Sequence, residues 1–184
     1  GCVVKPPVKI VGNETLDTVV SKILDNKSGE KELDLLEEIT KVDPKGLYST
    51  NLLSHSFLTS ELYEAQSPET KKDIHDCLKG KNRENKTIIN MSYIGNSLDK
   101  YLDTDKIKVD TITNEQRNLL EEKKYITKNF KNLVADILIG LNHFHKMGII
   151  HRDIKPENLT FGNHIDMDEG FSYLNSKGQD IYSR

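Results

Sequence analysis

The chain predicts an α+β fold, and three observations carry that expectation. Residues 18–24 and 87–91 are short apolar runs rich in β-branched side chains, which suit strands with a buried face. Residues 130–145 instead set Phe130, Leu133, Val134, Ile137, Leu138, Leu141 and Phe144 at helical spacing, so a core helix with one apolar face is expected. Directly after it comes a polar loop, His151-Arg152-Asp153-Ile154-Lys155-Pro156-Glu157-Asn158, which brings an acid, an ammonium and an amide into one short stretch.

The elements follow in order from the N-terminus. Residues 18–24 are apolar on both sides of Lys22, and an ammonium in a buried strand is unfavourable unless paired. Its partner is expected on the next helix, residues 31–42, where Leu35, Leu36, Ile39 and Val42 mark the apolar stripe. Glu32 stands just before that stripe and is the first choice. Glu37 is the second, and a solvated helix charge is the plain alternative for either. Residues 47–53 predict a further strand. Residues 67–73 and 79–86 are charge-rich and read as solvated loops around a short helix near residues 71–78.

Residues 87–91 then form a strand, residues 92–96 break it, and residues 97–102 start a helix. A second polar region, residues 104–128, holds a polar helix at residues 114–123. The long helix ends at Lys146-Met147-Gly148, with Gly148 suited to a left-handed cap. Beyond the polar loop, residues 158–161 and 164–167 flank Gly162-Asn163, a turn signal that predicts a tight hairpin. His143 and His145 have no cysteine or carboxylate at ligand spacing and read as ordinary helix residues. No internal repeat is visible.

The loop's spacing suits phosphoryl transfer. That reaction passes through a loose transition state, so a protein chiefly aligns the attacking hydroxyl and neutralises phosphoryl charge. Asp153 can accept the hydroxyl proton, Lys155 can reach a γ-phosphate, and Asn158 offers an amide oxygen to Mg²⁺. The segment resembles the catalytic loop of eukaryotic-type protein kinases, and Lys155 before Pro156 is similar to the serine/threonine branch.

That resemblance implies a two-lobed fold with ATP between the lobes. The small β-rich lobe with its αC helix would span residues 1–94, with an insertion at about residues 54–86. The first part of a mainly helical lobe would span residues 95–184. Asp153, Lys155 and Asn158 would be catalytic. Gly1 and Val3 stand in a segment similar to the end of a glycine-rich phosphate loop, whose first two glycines do not occur here. Lys22, held by Glu32, would meet the α- and β-phosphates. Met91 would be the gatekeeper, with Ser92, Tyr93 and Ile94 along the adenine. Asp168-Glu169-Gly170 stands where the family carries Asp-Phe-Gly, so Asp168 with Asn158 would bind Mg²⁺, Asp166 being the alternative acid. Glu169 departs from the family's phenylalanine, a carboxylate being expensive to bury, and Phe171 is expected to fill the gap. Arg152 could pair with a phosphorylated side chain in residues 172–183.

The Pro6-Pro7 continuation looks like divergent kinases of large DNA viruses, and no Ala-Pro-Glu follows residue 170. The chain is therefore expected to hold a kinase truncated at both ends, with an apolar face exposed where further helices would pack. The resemblance implies a serine/threonine protein kinase that transfers the γ-phosphoryl group of ATP to protein hydroxyls with Mg²⁺. A pseudokinase or regulatory ATP-binding module, and a small-molecule kinase of the same superfamily, are the alternatives. The insertions could dock a regulatory partner.

Composition narrows the remaining classes. A formal net charge of −3 and the absence of tryptophan argue against a dedicated nucleic-acid surface. Cys2 and Cys77 fit a reducing compartment better than a disulfide framework. No secretory signal and no apolar run long enough to span a bilayer is visible, since Asp136 and polar residues interrupt the longest one. An intracellular protein is expected, in host cytoplasm or virion if viral.

Overall fold

The computed structural model describes residues 1–10, 18–102, 104 and 113–162. Its N-terminal part is a four-stranded antiparallel sheet of β1 (Cys2–Val4), β2 (Val19–Asp25), β3 (Leu52–Phe57) and β4 (Lys86–Ser92), in the order β1-β2-β4-β3. The register places Val3, Lys22, Ile89 and His55 in one cross-strand row and Val4, Ser21, Asn90 and Ser54 in the next. Successive residues of a strand point to opposite faces, so these rows face opposite ways.

Helix α1 (Asn26–Val42) covers the inner face, the one that carries Lys22. Its Leu36 packs with Val20, Leu24, Ile89 and Met91. The approach is close because Gly29 has no side chain: a Cβ there would stand 2.4 Å from Cβ of Thr87.

The outer face is covered too, and here the structure corrects the sequence reading. Residues 67–73 do not form a solvated loop, because the helix expected near residues 71–78 starts at Pro68, and α2 (Ser60–Glu64) and α3 (Pro68–Leu78) pack as a layer behind the sheet, while residues 79–85 form the exposed loop expected of them. Ser67 caps α3 by accepting from the Thr70 amide, Pro68 occupies its first turn, and Thr70, Ile74 and Leu78 form its buried stripe. Ile74 and Leu78 join Val4, Val8, Ile23, Leu58 and Ile88 in one apolar core, while the charges of α3 face away. Residues 6–10 run over the same face. The Val8 amide donates to Ser21 Oγ at 2.7 Å, Ser21 Oγ donates to Asn90 Oδ1 at 2.5 Å, and Asn90 Nδ2 donates to Val8 O at 2.9 Å. Gln66 grips the neighbouring backbone, accepting from the Lys9 amide and donating to its carbonyl. Cys2 and Cys77, expected as thiols of a reducing compartment, instead form a disulfide between β1 and α3, with Cα atoms 5.8 Å apart.

A second correction concerns residues 47–53. The strand begins only at Leu52, because the buried Asp43 captures the stretch before it. Its carboxylate accepts from the Leu47 and Tyr48 amides and from Ser49 Oγ, which commits those residues to a turn.

After β4 the chain forms β5 (Gly95–Ser97) and α4 (Leu98–Leu102), then α5 (Asn114–Lys128) and α6 (Phe130–Lys146). Helix α5 starts with a reciprocal capping box between Thr113 and Gln116. Tyr101, Ile126 and Leu133 form the core of these helices, and Tyr101 donates to Glu122 at 2.7 Å. The expected single core face of α6 holds only in part. Leu133 and Gly140 are buried, whereas Phe130 and Leu138 are 56% and 60% exposed, because the neighbouring elements cover one side of the stripe. Strand β6 (Thr160–Gly162) pairs with β5, while the hairpin partner expected at residues 164–167 lies outside the described residues. Among the described residues no helix is long and apolar enough to cross a membrane.

Candidate active site

The polar loop is aimed by the end of α6. Gly148, at φ +80°, lets its own amide reach His145 O at 3.0 Å and the Ile149 amide reach Phe144 O at 2.9 Å, the paired bonds of a Schellman cap. The chain then bends again at Arg152, a non-glycine residue at φ +62°. Such a backbone persists only where its surroundings impose it. Here the Asp153 amide donates to His151 Nδ1 at 3.2 Å just beyond the bend.

Around Asp153 the three predicted catalytic side chains meet. Lys155 Nζ lies 2.9 Å from Asp153 Oδ2. The 3-10 turn Pro156–Asn158 folds Asn158 back, so that its Nδ2 donates to Asp153 Oδ2 at 2.8 Å and to Asp153 O at 2.9 Å. The Lys155 ammonium, helped by the Asn158 amide, holds the Asp153 carboxyl below the usual carboxylate range, and Asp153 raises Lys155 in return. With both amide hydrogens of Asn158 given to Asp153, its Oδ1 is the atom left to face a cation, and oxygen is the donor Mg²⁺ prefers.

The loop's exit is tied to the strand that follows β4. Gly95 pairs with Gly162 and Ser97 with Thr160, and the Leu98 amide donates to Leu159 O at 2.7 Å. Residues 91–94, which lead into β5, are thereby held on the same side of the molecule as the loop.

The inner sheet face supplies the other predicted residues. Lys22 Nζ and Glu32 Oε1 are 2.5 Å apart and half-buried, while Glu37 stays exposed on the helix. Val3 lies opposite Lys22 on β1 and is 59% exposed. Gly1 sits so tightly that a Cβ would fall 2.3 Å from Leu24 Cδ2. Met91 is buried at the end of this face. Ser92 exchanges backbone and side-chain bonds with Thr50 and Asn51, and the Tyr93 amide donates to Thr18 O at 2.8 Å. Asp168, Asp166, Glu169, Gly170, Phe171 and residues 172–184 lie outside the described residues. Among the described residues no group of three or more His, Cys, Asp and Glu side chains is placed to hold a metal.

Two contacts were not anticipated from sequence. Lys5, just past β1, sets its Nζ 3.6 Å from the centre of the Tyr93 ring. His143 Nε2 lies 2.9 Å from Val42 O and its ring stacks near Tyr48, joining α6 to the end of α1.

A β-rich part with helices on both faces, a helical part and a loop that gathers Asp153, Lys155 and Asn158 define an α+β, kinase-like fold. The chain belongs to the protein kinase domain family, whose family model matches residues 8–168. It is similar to the probable serine/threonine-protein kinase fhkB of Dictyostelium discoideum, 36% identical over 64 residues, which cover 35% of this chain and 5% of that protein. Serine/threonine-protein kinase PEPKR2 of Arabidopsis thaliana is 38% identical over 61 residues, 32% of this chain and 13% of that one. The human calcium/calmodulin-dependent protein kinase type 1B is 40% identical over 43 residues, 23% of this chain and 12% of that one. The matched segments thus span a small fraction of these relatives' lengths. No solved structure gives a significant match to the chain.

Proposed function

We propose that this chain carries the catalytic apparatus of a serine/threonine protein kinase, which transfers the γ-phosphoryl group of ATP to a protein hydroxyl. The observation that carries the reading is the bracketing of the Asp153 carboxylate by Lys155 at 2.9 Å and Asn158 at 2.8 Å in an exposed loop. A carboxylate kept ionised in this way orients a substrate hydroxyl and takes its proton late, which is what a loose transition state requires. Lys155, on its flexible stem, turns from Asp153 to the γ-phosphate as a point charge. Serine/threonine-protein kinases among the relatives favour the same substrate class.

Lys22, positioned by Glu32, meets the α- and β-phosphates from the inner face. Val3 and Met91 flank the purine. The Ser92 and Tyr93 amides are committed to Asn51 O and Thr18 O, which leaves Ile94 to present its N–H to the base. Mg²⁺ bound with the nucleotide would neutralise charge on the phosphate oxygens, and Asn158 with Asp168 would hold it.

Asp153→Ala in the full-length protein is the test. A positioned general base contributes roughly 10²–10⁴-fold, so phosphoryl transfer should fall by that factor while ATP binding measured by calorimetry persists. Transfer at the wild-type rate in this variant would overturn the mechanism.

A further inference from the structure

We propose that Cys2 and Cys77 form a thiol–disulfide site that sets nucleotide affinity, and that its reaction partner is a small disulfide of the glutathione class. The proposal rests on the reading of the inner sheet face as the nucleotide site. Strand β1 has two different sides. Cys2 and Val4 point to the outer layer, and Val3, between them, lies opposite Lys22 on the inner face. Whatever holds the outer side of β1 therefore fixes the position of Val3 over Lys22.

Strand β1 is three residues long, so its ladder alone is a weak hold. Its outer side has two further anchors, the burial of Val4 in the apolar core and the bond from Cys2 to Cys77. Cys77 is a firm post, standing in the last turn of α3 between the buried Ile74 and Leu78. The disulfide closes a sequence separation of 75 residues, and both Lys22 and Glu32 lie inside that loop. Neither cysteine is sealed in, since both pack at the edge of the core and are only partly buried. A small disulfide or thiol can therefore reach them, whereas a bond sealed inside the core would be inert.

The chemistry balances by exchange. In the reduced chain one cysteine thiolate attacks a sulfur of glutathione disulfide, forming a mixed disulfide and expelling one glutathione thiolate. The second cysteine thiolate then displaces the other glutathione and closes the Cys2–Cys77 bond. The protein loses two protons and two electrons, and the small disulfide leaves as two thiols. Excess reduced glutathione runs the sequence backwards.

Oxidised, the site holds Val3 over Lys22. Reduced, it leaves β1 to its short ladder and the burial of Val4, and the fraction of molecules with β1 in place falls. If that fraction drops to about one fifth, the apparent Kd for ATP rises about fivefold.

The experiment compares ATP affinity of the full-length protein equilibrated in oxidised and in reduced glutathione, beside Cys77→Ser and Cys77→Val in both buffers. Amide hydrogen exchange over residues 2–4 is followed in parallel. The expected result is a Kd about fivefold weaker on reduction, the same weak Kd for both variants in either buffer, and faster exchange over β1 with β4 unchanged. A lowered unfolding temperature with equal Kd values would show a bond that braces the fold alone and would overturn the proposal. ATP binding in neither redox state would overturn the functional reading and the proposal together. Equal binding in both, abolished by Lys22→Ala, would overturn the proposal and leave the functional reading in place.

Discussion

The two faces of the four-stranded sheet use the same strands for opposite purposes. On the inner face a half-buried ion pair, Lys22 with Glu32, sits beside an exposed Val3 and an open approach from solvent. On the outer face the neighbouring residues Ser21 and Ile23 enter a closed polar ring and a fully covered apolar core. One residue of displacement along β2 thus separates a partly solvated ion pair from groups that keep the strand in place. A strand held rigidly from behind can present a flexible lysine in front without losing its register.

Substitutions can break that division, and the largest effect belongs to the outer face. Ile74→Ala removes a fully buried side chain and should lower unfolding free energy by about 2–5 kcal/mol in urea titration. Asn90→Ala comes next. It leaves Ser21 Oγ and Val8 O to find other partners and should lower stability by about 1–3 kcal/mol, with residues 6–10 becoming susceptible to limited proteolysis. The smallest stability effect is expected from Lys22→Ala, within about 1 kcal/mol, because a partly solvated ion pair contributes little to folding. Its activity should nevertheless fall by roughly 10²-fold if it clamps phosphate charge. A Lys22→Ala protein that unfolded more readily than Ile74→Ala would erase the contrast between the faces.

Much of the fold was legible because local pattern and tertiary role agree. Strand β4, the Gly148 cap and the segment from His151 to Asn158 each carry their own signal, whereas of the α1 stripe Leu36 is buried and Leu35 faces solvent. That Lys22 needs a partner followed from one ammonium in an apolar strand, whereas the choice of Glu32 over Glu37 leaned on the resemblance to the family's αC helix. Elsewhere the deciding interaction lay outside the local window. Leu47, Tyr48 and Ser49 have strand-like neighbours, yet a buried Asp43 binds them first. The stripe Thr70, Ile74, Leu78 was present in the sequence but hidden among charges that point to solvent. The Cys2–Cys77 bond has no spacing signal at all, since only the packing of α3 behind β1 brings its ends together. The site was legible where its residues are contiguous, around Asp153. It was less so at Lys5 and His143, whose partners come from distant segments.

The lacing of β5 to β6 bears on how the molecule could open and shut. Gly95 to Leu98 are bonded to Leu159 through Gly162, so the strand that follows Met91 and the exit of the polar loop move as one piece. A rotation of the sheet relative to the helices would have to bend the chain near Ile94 and also break the contact of His143 with Val42 O, which joins α6 to α1. Such a rotation would change the distance from Lys22 to Asp153 while the lacing of β5 to β6 kept the exit of the polar loop in shape.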